Sequence, residues 1–179
     1  AFGGKSLAKG KRSHAEGTTT VAKGNYSHAE GDNSVTLGAD SHAEGYATVT
    51  GPEAQAAHAE GINTQATGKA SHAEGWLSKA AGDNSHAEGG WTAATGKGSH
   101  AEGGETEALG NYSHAEGIFT QAVGSASHAE GENTLAQAQY SHAEGCNDAE
   151  GNHTTASGMA SHAEGRGTTT PFELVGAPW

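Results

Sequence analysis

Ser85-His86-Ala87-Glu88-Gly89, Ser99-His100-Ala101-Glu102-Gly103 and Ser113-His114-Ala115-Glu116-Gly117 are one pentapeptide repeated every 14 residues. The same pentapeptide begins at Ser13, Ser27, Ser41, Ser71, Ser127, Ser141 and Ser161, and an Ala-for-Ser copy begins at Ala57. Eight of the ten intervals are 14 residues; Ser41 to Ala57 is 16 and Ser141 to Ser161 is 20. A looser form, Thr-x-Ala-x-Gly, lies between copies, as in Thr20–Gly24, Thr64–Gly68, Thr106–Gly110 and Thr120–Gly124. The unit is [Ser/Thr]-x-Ala-x-Gly-x-x, used twice per period. A fixed period of this kind marks a stack of equal coils, each burying its face against the next.

The residue types decide which stack. A coiled-coil heptad needs large apolar residues at two of seven places, and here those places hold Ser, Thr, Ala and Gly. A Gly every seven residues would also cost about 1 kcal/mol each in a helix. Collagen requires Gly at every third residue, which is absent, and calcium-binding β-rolls require Asp-bearing nonapeptides, whereas only four Asp occur. An all-β parallel β-roll remains, a β-solenoid of 14-residue coils with two short strands and two corners per coil.

Facing follows from size. In a coil this thin only Ser/Thr, Ala and Gly fit inside, so the two x positions of each strand point out. Turning them inward would bury His and Glu without room and at a large desolvation cost. The outward row on one side is therefore uniform: His14/Glu16, His28/Glu30, His42/Glu44, His58/Glu60, His72/Glu74, His86/Glu88, His100/Glu102, His114/Glu116, His128/Glu130, His142/Glu144 and His162/Glu164. The outward row on the other side varies, as in Val35/Leu37, Gln65/Thr67 and Glu107/Leu109.

Composition agrees once the repeat is known. Leu, Ile, Val and Phe together make about 9% of 179 residues, against 29 Gly, 12 His and a net charge of −12. Such values ordinarily mark a disordered chain. The acidic balance opposes nucleic-acid binding, no run is long and apolar enough for a transmembrane helix, and the single Cys146 excludes an intrachain disulfide framework. Residues 1–170 form the repeat domain. They begin half-way through a coil at Ser6-Leu7-Ala8-Lys9-Gly10, as expected of a piece of a longer protein. Residues 171–179 break the pattern and are expected to cap the last coil or link to a following domain.

The half-repeat Ser-x-Ala-x-Gly-x-x in 14-residue coils resembles the head domains of YadA-like trimeric autotransporter adhesins. The Ser-His-Ala-Glu-Gly wording is similar to repeats of phage tail-fibre and appendage proteins. The resemblance spans about residues 6–170. It implies a left-handed roll and a parallel homotrimer whose axis runs beside the His14/Glu16 positions and their ten equivalents. In the adhesins those places are apolar; here they are His and Glu, so hydrophobic trimer packing is not carried over. Instead, His⁺–Glu⁻ pairing between subunits is expected, with His pKa values raised and Glu values lowered.

The functional expectation is a structural one: a rigid segment of an extracellular trimeric fibre, the shaft or receptor-binding part of a phage tail fibre or appendage. The alternative is the head of a bacterial trimeric adhesin binding a host surface. Location is then a virion tail or a bacterial cell surface. Catalysis is not expected, because an active site is one differentiated constellation and these are eleven equal copies. No cofactor is expected, although imidazole and carboxylate are ordinary ligands and ions on the ladder are a minor alternative. An ice-binding role would need outward Thr, and most repeated Thr have inward parity. Partners are other copies of the chain and a cell-surface glycan or protein receptor, with Trp76, Trp91 and Phe119 the contact candidates.

Overall fold

A computed structural model describes residues 3–170; the stretch 171–179, expected as a cap or link, lies outside the described residues. The chain is an all-β solenoid of parallel strands. One sheet stacks eleven strands that carry the pentapeptides, from His14–Ala15 through five-residue strands such as His100–Gly104 to His162–Arg166. The other stacks twelve short strands, from Leu7–Ala8 to Thr169–Thr170. Every neighbour in each sheet is one coil away in sequence, and register places like on like: His86 on His100, Ala87 on Ala101, Glu88 on Glu102.

The interior is built almost wholly of alanine. Ala87, Ala94, Ala101, Ala108 and their equivalents are fully buried, and among the described residues no fully buried side chain is larger than Thr. Inward Ser, Thr and Ala with outward His and Glu are as parity and size required. The seven-residue half-repeat differs in one respect: the pentapeptide Gly is not inside. Gly103 has φ 109° and starts the corner, whereas the Gly of the looser form, such as Gly96, is the buried one.

The corners hold two residues each, and the second adopts a left-handed conformation whatever its type: Asn63, but also Leu77, Trp91, Phe119 and Tyr140. A non-Gly residue there costs roughly 1–2 kcal/mol. Hydrogen bonding between coils offsets it. Strand N–H groups donate to the following coil, as His100 N does to Ser113 O at 2.9 Å, and corner N–H groups donate to the preceding coil, as Trp91 N does to Trp76 O at 2.9 Å. The ladder thus runs around the corner, which leaves few backbone groups unpaired. Two extra residues in the 16-residue interval are taken up in the turn Gly51–Ala54, closed by Ala54 N donating to Gly51 O at 3.2 Å.

Inside the corners, hydroxyls bond to nearby carbonyls. Ser113 Oγ donates to Gly110 O at 2.7 Å, and Ser78 Oγ donates to Gly89 O at 3.0 Å. Thr64, Thr92, Thr106, Thr120 and Thr134 stand in the Ser78 column with buried hydroxyls that meet no partner. Removing an unmet buried hydroxyl is cheap, whereas removing a bonded one is not. Thr106→Val is therefore expected to be neutral or stabilising by up to about 1 kcal/mol. Thr154 donates to Cys146 O at 2.9 Å and Gly165 O at 3.1 Å, so Thr154→Val is expected to lose about 1 kcal/mol. Denaturant melts of the two variants check the contrast.

Candidate functional site: the histidine–glutamate face

All eleven pentapeptide strands present His and Glu on one face, because each strand repeats the parity of the one below it. From His28 to His162 the imidazoles stack, with ring centroids 4.7–4.9 Å apart and planes within 9° of parallel. His14 meets His28 edge-on, at 89°. The row is roughly 50 Å long at one strand spacing per coil. Glutamates run beside it. Most of the His lie near the Glu two residues on or the Glu of the coil below: His14 Nε2 is 3.2 Å from Glu16 Oε2, and His142 Nε2 is 3.0 Å from Glu130 Oε1.

The row is not uniform to its end, contrary to the eleven equal layers expected from the repeat. Spacing pairs His162 with Glu164, yet Glu164 Oε2 is 4.0 Å away and its side chain is 75% exposed. His162 Nε2 instead meets Glu144 Oε1 of the coil below at 3.0 Å. Glu144 is thus bound by the His of the following coil, while His142 of its own strand has turned to Glu130. The turn to the coil below also occurs in mid-stack, at His86–Glu74, but the exposure of Glu164 comes from the end of the stack. Glu164 lies on Glu144 and covers it, whereas among the described residues no further pentapeptide strand lies on Glu164. Glu164 therefore belongs to the row in register but is not one of its half-buried members.

Most of the other approaches are too long to be hydrogen bonds. His28–Glu30 and His42–Glu44 are 3.5 Å, His58–Glu60 is 3.6 Å and His114–Glu116 is 3.8 Å. Seven imidazole Nε2 atoms, those of His28, His42, His58, His72, His100, His114 and His128, are covered yet hydrogen-bonded to nothing in the chain. One chain alone leaves its most regular face under-bonded.

The protonation behaviour differs from the raised His and lowered Glu expected of paired charges. His58, His72, His100, His114 and His128 are held below the usual imidazole range by burial in the stack, with further lowering from neighbouring imidazoles. The glutamates in the middle of the row alternate. Glu60 is pushed up to about 7, first by its side-chain hydrogen bond with Glu74 and then by burial. Hydrogen bonding to Glu74 and Glu102 raises Glu88, and burial followed by hydrogen bonding to Glu130 raises Glu116. Glu74 and Glu102 are lowered, each by hydrogen bonds to its raised neighbours; Glu130 is lowered by hydrogen bonds to Glu116 and His142, against its burial. The physical reason is the stack itself. Within one chain each group is flanked above and below by copies of itself, so neighbouring carboxyls are shifted in alternate directions along the row.

Groups of the His28/Glu30/His42 type bring three potential ligand atoms within 4.8 Å of one another along the row. They make a poor chelate within one chain. Parallel rings about 4.8 Å apart aim their lone pairs side by side, and two Zn–N bonds of about 2.1 Å span at most ~4.2 Å. Each layer of a single chain therefore offers an ion one imidazole and one carboxylate.

The contact candidates lie elsewhere. Trp91 and Phe119 occupy the same corner position two coils apart, and both line an open groove of about 520 Å³ on the edge of the varied face. Trp76 does not line it, but meets the Trp91 ring edge-on at 5.3 Å and 85°. Ile62 and Trp76 are register neighbours, as their spacing required. The far wall of the groove is His153, at the end of the residues inserted after Cys146, and its Nδ1 lies 3.0 Å from Asn133 O. In the sequence the insertion shows only as the 20-residue interval from Ser141 to Ser161, which does not by itself connect it with Trp91 and Phe119. The coil count places His153 one corner above Asn133, and that spacing was the available signal.

No protein-family model matches this chain, and no curated protein is a significant match to it. The resemblance to adhesin heads and phage fibres therefore rests on the repeat motif alone. Among the described residues no helix is long and apolar enough to cross a membrane.

Proposed function

We propose that the chain is a rigid segment of an extracellular trimeric fibre, as the shaft or receptor-binding part of a phage tail fibre or similar appendage. Three left-handed rolls lie parallel, with their His/Glu faces turned to a common axis. The observation that carries this reading is the contrast between the two faces. One keeps the same residues over eleven coils, is half-covered along most of its length and is short of hydrogen bonds; the other varies freely.

Carboxylates from neighbouring chains supply the bonds that the imidazoles lack, and adjoining rows of His⁺ and Glu⁻ offset the repulsion within each row. An alanine interior is too poor in apolar area to stabilise a lone roll comfortably, so association supplies part of the stability. The head of a bacterial trimeric adhesin is the second reading, favoured by the exposed aromatics Trp76, Trp91 and Phe119 at the corners. In both, the chain acts without catalysis, since its groups are repeated rather than differentiated.

Sedimentation equilibrium or native mass spectrometry tests the proposal. The expected mass is three times 17.9 kDa. A folded monomer would overturn it.

A further inference from the structure

In a molecule made of equal coils, a specific site must arise where the repetition breaks. The strongest break is the insertion between Cys146 and Thr154. Asp148 holds it together, accepting hydrogen bonds from the Asn152 backbone and side chain, both at 2.8 Å. The insertion ends at His153 beside Asn133 O and walls the groove that Trp91 and Phe119 line.

The groove's chemistry is specific. Trp91 and Phe119 are about half exposed, at 53% and 46%, and stand two coil rises apart, roughly 9.6 Å. Trp76 holds the Trp91 ring in place from one side. Between the two aromatics lie Glu105 and Glu107, and Gln121 Nε2 donates to Glu107 Oε2 at 3.1 Å, which orients both groups. No Lys or Arg lines the groove. The groove therefore joins aromatic faces to paired hydrogen-bonding groups and repels anions.

We propose that this groove binds a neutral oligosaccharide, with two sugar rings on Trp91 and Phe119 and hydroxyls of the intervening unit bonded to Glu107 and Gln121. Apolar C–H faces of pyranose rings suit aromatic platforms, and vicinal hydroxyls suit a carboxylate beside an amide. The absence of cations in the lining disfavours sialylated, sulfated or phosphorylated sugars. This site deepens the attachment part of the proposed function and rests on it only in requiring that the varied face stay open to solvent.

The test uses the full chain and a panel of neutral glucose-, galactose- and N-acetylglucosamine-based hexasaccharides, with sialylated and sulfated oligosaccharides and a lysine-rich peptide as counter-ligands. The expected result is that at least one neutral probe binds in calorimetry. Trp91→Ala and Phe119→Ala should each weaken it at least about tenfold, while Tyr26→Ala, an exposed aromatic far along the stack, should leave it unchanged. Saturation-transfer NMR on the unaltered chain, showing contact between sugar protons and aromatic resonances, holds even if a variant misfolds. The proposal is overturned if no neutral probe binds, if only the charged probes or the peptide bind, or if Trp91→Ala binds as the parent does. Mass measured on the same samples separates the two readings. A trimer without sugar binding removes only this site. A Trp91→Ala variant that changes oligomeric mass makes the groove a subunit contact and overturns the site.

Discussion

Raising the pH from about 5 to about 9 at low salt is expected to lower the melting temperature of the chain by about 5–10 °C relative to a variant without its raised glutamates. The sign follows from the glutamate row. Glu60 is raised from 4.5 to about 7 in the folded chain, and Glu88 and Glu116 are raised as well. A raised folded-state pKa contributes stability that is complete below the unfolded value and is lost as pH rises through the folded value. Above about pH 7 the row becomes a line of like charges one strand spacing apart, with neutral imidazoles beside it. The carboxylates are partly exposed, so screening keeps each contribution below about 1 kcal/mol, and the sum is a few kcal/mol. In 1 M salt, where the Debye length is about 3 Å, the loss should shrink markedly.

Replacing the three raised carboxyls together (Glu60→Gln, Glu88→Gln and Glu116→Gln) should abolish most of that slope and leave the variant more stable than the parent at pH 9. Glutamine is the neutral isostere and keeps a hydrogen bond to Glu74, Glu102 or Glu130. The acid side separates the two sources of stability. The five lowered histidines contribute stability that is present above about pH 6.5 and lost as pH falls. Histidines paired with a neighbouring chain's carboxylates would be raised instead, and would hold the assembly together down to about pH 4. Thermal melts of parent and variant with mass measured at each pH check both. A difference in melting temperature between parent and variant that does not change between pH 4 and pH 9 would sink the charged-seam account.

Much of this architecture was legible because size and parity leave little freedom. Ala101 and Ser99 must face in and His100 and Glu102 out, since no other side chains fit a coil of 14 residues. The 14-residue period likewise sets Trp76 beside Ile62. The corners were less legible. Trp91 and Phe119 take a left-handed conformation that their own preferences oppose, because the corner N–H must reach the coil below; that constraint belongs to the stack, not to the residue. The pentapeptide Gly was misplaced for the same reason, since its φ is set by the corner and not by strand alternation. The charge behaviour was missed in another way. Sequence spacing brings His100 and Glu102 together, but stacking also flanks each with copies of itself, and burial in the stack together with those like-group contacts decides the shifts. At the end of the row the repeat makes Glu144 and Glu164 identical, and only the presence or absence of a covering strand tells them apart. The groove depended on the path of an eight-residue corner, which no repeat specifies.

The corner geometry also gives the largest stability effect expected of a single methyl group. Gly103 has φ 109°, and a Cβ added there would fall on the carbonyl oxygen of Gly117 in the next coil. Gly103→Ala must therefore either separate two coils or rotate the corner, and it carries a conformational penalty of roughly 1–2 kcal/mol besides. In a stack where each coil touches only its neighbours, a mid-array break divides the protein into two shorter arrays. The expected loss is at least about 3 kcal/mol, or about 6–12 °C in melting temperature, with the transition broadening or splitting in two. Gly104 is the internal control. It is the next residue of the same strand, a Cβ there meets nothing within 4 Å, and its equivalents in other coils are Trp76 and Ile118. Gly104→Ala should change the melting temperature by no more than about 1–2 °C. Calorimetry on the two variants decides the matter. If Gly103→Ala melts with the parent, the close contact between coils at the corner is not what holds the stack in register.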